Sequence, residues 1–90
     1  MKLSQAAAEA IALDALTFIA SDDELLSRFV ALTGIDPSAV RSELEKPGFL
    51  HGVIHHVVEH EDLLVAFASS AGLKAEQVAA AAQALGVVWD

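Results

Sequence analysis

The sequence predicts an all-α fold: a compact bundle of about six short helices, arranged as two tandem three-helix units. Three observations carry that expectation. Eighteen of the 90 residues are alanine, the best helix former. Aliphatic residues recur at helical spacing between short polar breaks, with only two prolines and five glycines to interrupt them. The chain also matches itself without gaps when displaced by 38 residues.

Ser4 is placed to cap a first helix that runs to about Ala20, with Ile11, Ala12, Ala15, Leu16, Phe18 and Ile19 on its apolar face. "SDDE" follows, with the form of a capping box in which Ser21 accepts from the Glu24 amide and Glu24 reaches back. Its acids complement the positive end of a second helix carrying Leu25, Leu26, Phe29, Val30 and Leu32. Gly34 suits the left-handed turn that stops it. Asp36 as cap and Pro37 at the first helical position restart the chain into a third helix with Val40 and Leu44, which ends before Pro47. A fourth helix is expected from Pro47 or Gly48 to about Glu59. A fifth runs from His60 to Ala71 with Gly72 as its stop, and a sixth from Ala75 to about Leu85.

At the 38-residue offset "DELLSRFVALTGIDPSAV" (23–40) lies over "EDLLVAFASSAGLKAEQV" (61–78), pairing Leu25 with Leu63, Phe29 with Phe67 and Gly34 with Gly72. The same offset lays Ile11, Ala15, Leu16 and Ile19 over Phe49, Val53, Ile54 and Val57. This reads as one domain, residues 1–90, built from a unit at about 8–45 and a second at about 46–86. One unit alone has too small a core to stand. The competing explanation is shared grammar, because any two short amphipathic helices can use an acidic start, a Leu-Leu-x-x-Phe face and a glycine stop.

Charge narrows the partners. Thirteen acids stand against five Lys and Arg, for a formal charge of -8, and such a chain repels phosphate backbones. No nucleic acid is expected. Glu9 and Asp14 interrupt the apolar start, which argues against a secretory leader, and no apolar run reaches the roughly 18–20 residues of a membrane span. The absence of cysteine fits a reducing compartment, so the expected location is cytoplasmic. A mean hydropathy of +0.49 is high for a small acidic domain, and it suggests an apolar patch left for a partner or a second copy.

The stretch "EAIALDALTFIASDDELLSRFVALTGIDPSAVRSE" resembles a family of small, all-helical bacterial proteins of unknown function, about 90 residues long. The likeness spans roughly residues 6–86, and "RF-x-x-LTG-x-x-P" is its most specific part. It implies the helical fold and a bacterial origin, and it brings no reaction, ligand or functional residue.

The chemistry-bearing stretch is "HGVIHHVVEHED", residues 51–62. On a helix His51, His55 and Glu59 share one face, opposite Leu50, Val53, Ile54, Val57 and Val58, while His56 and His60 lie on the flank. The i,i+4 spacings 51/55 and 56/60 can bring two imidazoles onto one ion, and a His51–His55–Glu59 trio could hold Zn²⁺ with an open position. "HVVEH" formally matches the inverted zinc-protease pattern, but a third ligand and a peptide cleft are missing from so short a chain. Exposed histidines filling the polar face of an amphipathic helix outweigh both. A pH sensor is a softer alternative, since four histidines could halve the net negative charge.

"LLSRFVALTGIDPSAVRSELEK" has the outline of a DNA-binding helix-turn-helix. Its second helix would offer Arg41 and Lys46 beside Glu43 and Glu45, electrostatics that point away from DNA. The expectation is therefore a non-catalytic, acidic protein-interaction module with no cofactor. It binds a protein partner or itself, through Arg28 and Phe29 or through the C-terminal Val87, Val88 and Trp89. A metal-binding protein or hydrolase using the histidine segment, and a helix-turn-helix protein, are the alternatives.

Overall fold

In a computed structural model, which describes residues 3–43, 46 and 48–87, the chain is all-helical, with no strand among the described residues. Five helices have ten or more residues: α1 (Gln5–Ala20), α2 (Asp23–Thr33), α4 (Phe49–Glu59), α5 (Glu61–Ala71) and α6 (Ala75–Ala84). Between α2 and α4, where a third full helix was expected, a 3-10 turn at Pro37–Ala39 runs into a single α-turn, α3 (Val40–Glu43). Leu44 and Pro47, on which the expected length of that helix rested, lie outside the described residues, as does the side chain of Val40.

Local chemistry sets most boundaries. Ser4 Oγ accepts from the Ala7 amide at 3.1 Å and opens α1. The cap of α2 is Asp22, not Ser21: its Oδ1 accepts from the Glu24 and Leu25 amides at 2.9 and 3.1 Å. Ser21 instead closes α1, its Oγ donating to the Phe18 carbonyl at 2.7 Å. A carboxylate is the stronger acceptor at a helix start, and the two-residue link leaves Ser21 within reach of the end of α1. Asp36 Oδ1 accepts from the Ser38 amide and hydroxyl, as the sequence suggested for the restart, and this holds its carboxyl below the ordinary range. Gln77 Oε1 accepts from the Lys74 N–H at the start of α6.

α2 and α5 occupy corresponding registers, since Asp23 and Thr33 precede Glu61 and Ala71 by 38 positions each. Both stop at a left-handed glycine, Gly34 at φ 74° and Gly72 at φ 70°. The helices that follow them differ: α6 has ten residues, while α3 is described over four, Val40–Glu43.

α1 and α4 pack against each other at the centre, through Ala15, Leu16 and Ile19 on one side and Val53, Ile54 and Val57 on the other, all buried. α2 packs on α1 and α5 on α4, contributing Phe29 and Phe67, which are 0 % and 1 % exposed. α6 lies across α1, α4 and α5. Its buried alanines at 80–82 and those of α1 at positions 8, 12 and 15 let the backbones approach closely. Burying each of the larger side chains is worth about 1.5–3 kcal/mol. Leu32, expected on the apolar face of α2, is 59 % exposed instead, because no described element covers the last turn of that helix.

Candidate functional site

The histidine segment divides when it folds. α4 carries His51, His55 and His56, and the chain then breaks at a single residue, His60, whose extended backbone (φ -121°, ψ 96°) ends α4 and starts α5. His51 is exposed and its ring lies 6.3 Å from that of His55. His55 Nε2 meets Glu59 Oε1 at 2.6 Å, an i,i+4 pair on the surface. His60 Nδ1 bonds to the His56 carbonyl at 2.7 Å, which ties the ring across the helix break.

His56 is the exception. The helical wheel puts it on the flank, yet it is 5 % exposed, because the flank of α4 faces α2. Its ring meets Phe29 edge to face, centroids 5.1 Å apart and planes at 84°, and stands 4.7 Å from the His60 ring. Its Nε2 is buried with no hydrogen-bond partner among the described residues. Burial, reinforced by His60 and Arg28, pushes the imidazole down to about 4, against the smaller opposite pull of Glu59 and Asp62. The side chain is therefore neutral at pH 7.

Arg28, on α2, grips Asp62 of α5 with two hydrogen bonds, 2.8 Å from Nη1 and 3.1 Å from Nη2. This fork raises the guanidinium further and holds the Asp62 carboxyl down at about 2. It joins the two helices that the 38-residue offset superposes.

These residues border a cleft of about 280 Å³ between α2 and α4, lined by Leu32, Thr33, Gly52, His55, His56, Glu59 and His60. A second cleft, about 320 Å³, lies between α5 and α1 and is lined by Asp14, Thr17, Phe18, Ser21, Phe67, Ser70 and Ala71. Six of the seven lining residues of each cleft correspond at 38 positions. Asp14, Thr17, Phe18 and Ser21 hold the places of Gly52, His55, His56 and Glu59, and Ser70 and Ala71 those of Leu32 and Thr33. Phe18 packs on Phe67, ring centroids 5.8 Å apart, as His56 packs on Phe29.

Three of the differences between the clefts stand out. Gly52 stands inside a helix, where glycine costs about 0.5–1 kcal/mol relative to alanine, and a Cβ there would meet nothing within 4 Å. His56 leaves a buried nitrogen unpaired, at a cost of about 1–3 kcal/mol, where its counterpart is a phenylalanine. Leu32 exposes an aliphatic side chain where its counterpart is serine. Fold stability does not account for the helix-interior glycine or for the unpaired nitrogen.

Among the described residues no group of three or more His, Asp or Glu side chains is placed to hold a metal ion. His51, His55 and Glu59 share a face, but Glu59 is engaged with His55, while His56 is drawn inward and His60 is tied to a carbonyl. The expected partner residues fare differently too. Phe29 and Val87 are buried, at 0 % and 4 %, because the core takes apolar side chains that the pattern alone left free for a surface. Arg28 is engaged with Asp62, and Val88 and Trp89 lie outside the described residues. The α2–α4 cleft went unnoticed in the sequence although the offset already laid His56 over Phe18, a place that an apolar ring fills. No helix among the described residues is long and apolar enough to cross a membrane.

A family model described as "Protein of unknown function (DUF3572)" matches residues 5–87. No curated protein and no solved structure matches the chain.

Proposed function

We propose that this chain, which belongs to the family of proteins of unknown function DUF3572, is a non-catalytic binding module whose working surface is the cleft between α2 and α4. The observation that carries this reading is the convergence on one cleft of a glycine inside a helix, Gly52, a buried imidazole with an unpaired nitrogen, His56, and an exposed aliphatic side chain, Leu32. Proteins depart from local stability rules at places where another molecule is to be accommodated.

The same proposal extends to the organisation and setting of the chain. The chain is one domain made of two related units, supported by the matched registers of α2 and α5 and by the paired clefts, with the second unit having kept a full third helix. The setting is a bacterial cytoplasm, supported by the resemblance and by the cysteine-free composition. The proposal assigns no catalytic role: among the described residues of the cleft the one hydroxyl, that of Thr33, donates to the Phe29 carbonyl at 2.6 Å.

The test is retention of a partner from the cells of origin by the wild-type chain and by two variants of matched thermal stability. Gly52→Leu fills the α2–α4 cleft, and Asp14→Leu fills its counterpart. A partner held by wild type and by Asp14→Leu but lost from Gly52→Leu supports the reading. Equal retention by all three, or equal loss from both variants, defeats it.

A further inference from the structure

We infer that the α2–α4 cleft receives a lysine or arginine side chain presented by an apolar-faced segment of a partner protein, an inference that rests on the cleft being the working surface. The volume, about 280 Å³, lies below the roughly 300–1,000 Å³ of sites for drug-sized molecules and suits one long side chain.

The walls match such a chain along its length. Leu32, 59 % exposed, offers an aliphatic surface for a methylene stem. Gly52 presents bare helix backbone with open space above it, so a partner's main chain can come close. Further in lies the neutral His56, 5 % exposed, whose Nε2 is closed off in the free chain without a hydrogen-bond partner among the described residues; with the ring turned toward the cleft and the proton on Nδ1, it would accept from an incoming N–H.

Electrostatics select the sign. Among the described residues the lining includes the carboxylate of Glu59, one oxygen of which meets His55 Nε2, and no Lys or Arg. Leu32 and Thr33 are the last two residues of α2, so the negative end of that helix sits at the cleft. The neighbouring cation, Arg28, is neutralised by its fork with Asp62, and the chain as a whole carries a formal charge of -8. An acidic partner would meet repulsion and an apolar one would leave His56 unpaired. A cationic head on an aliphatic stem satisfies all three walls.

The experiment is an amide-shift NMR titration of the intact chain with a short amphipathic peptide of leucine and lysine, its leucine–glutamate counterpart, and Zn²⁺ alone. Saturable shifts centred on Leu32, Thr33, Gly52 and His56 are expected with the lysine peptide only. Gly52→Leu should weaken that binding about tenfold or more, and Glu59→Gln by a smaller factor. Gly52→Ala, which fills less of the cleft, serves as the variant whose fold is safest. Shifts centred on Asp22–Glu24 or spread over the surface, equal binding of the glutamate peptide, stoichiometric Zn²⁺ binding at the same amides, or shifts there that depend on protein concentration would each overturn the inference. If the lysine peptide fails while Gly52→Leu still loses a captured partner, the binding module stands and the cationic class falls.

Discussion

His56 and Phe29 meet edge to face across the α2–α4 boundary at 5.1 Å, while the offset counterparts Phe18 and Phe67 meet at 5.8 Å across the α1–α5 boundary with planes tilted at 51°. An imidazole thus does the packing of a benzyl ring while leaving Nε2 without a partner. Replacing it with the residue of the other cleft isolates that cost. His56→Phe should raise stability by about 1–3 kcal/mol in urea denaturation at pH 7. Loss of stability would mean that the imidazole holds the structure together through a bond the geometry does not contain.

The same side chain sets an acid limit. Its value in the fold, about 4, lies below the ordinary 6.5, so between these the unfolded chain binds the proton and the folded chain does not. Stability therefore falls as the pH drops from about 6.5 to 4, by about 1–2 kcal/mol at pH 5. Denaturation at pH 7 and pH 5 measures the difference, and most of it should vanish in His56→Phe. An equal pH dependence in the variant would place the effect elsewhere.

Glycines in two conformations should respond with opposite signs. Gly52 is helical and unobstructed, so Gly52→Ala should stabilise by about 0.5–1 kcal/mol. Gly34 and Gly72 stand at φ 74° and 70°, where an L side chain is strained, and Gly34→Ala should destabilise by about 1 kcal/mol. Thermal unfolding of the two variants beside wild type reads both. The same sign for both would contradict the backbone geometry.

The Arg28–Asp62 fork is exposed, with side chains 33 % and 71 % accessible, so its contribution is small and screened. Asp62→Asn should lower the melting temperature slightly in dilute buffer, and the gap should close at high salt. Because the Asp62 carboxyl sits near 2, below its ordinary 3.8, the contribution is complete above the ordinary value and disappears only as pH falls through 2. A gap that persists at high salt would point to a packing role.

Phe29 belongs to the core, and truncating it removes the centre of the α2 contact. Phe29→Ala should cost about 3–5 kcal/mol, a large part of the 5–15 kcal/mol typical of a folded domain. Phe67→Ala should cost about the same. Circular dichroism with urea titration checks both, and a near-neutral Phe29→Ala would return that ring to the surface.

Helix identity and most helix ends were legible in the sequence, because they depend on neighbours a few residues apart: Ser4 on Ala7, Gly34 on the turn before it, Asp36 on Ser38. Burial on the central faces was legible for the same reason, since spacing alone puts Leu16, Ile19, Val53 and Val57 on one side of a helix. The fate of residues at the edge of a face was not. His56 and Leu32 lie at such edges, and which one a neighbour covers depends on where α2 comes to rest against α4. The packing of α1 on both helices and of Phe29 beneath them sets that distance. Periodicity along one helix carries no information about the gap between two. The cleft, its unpaired nitrogen and its bare glycine therefore exist only in the tertiary structure.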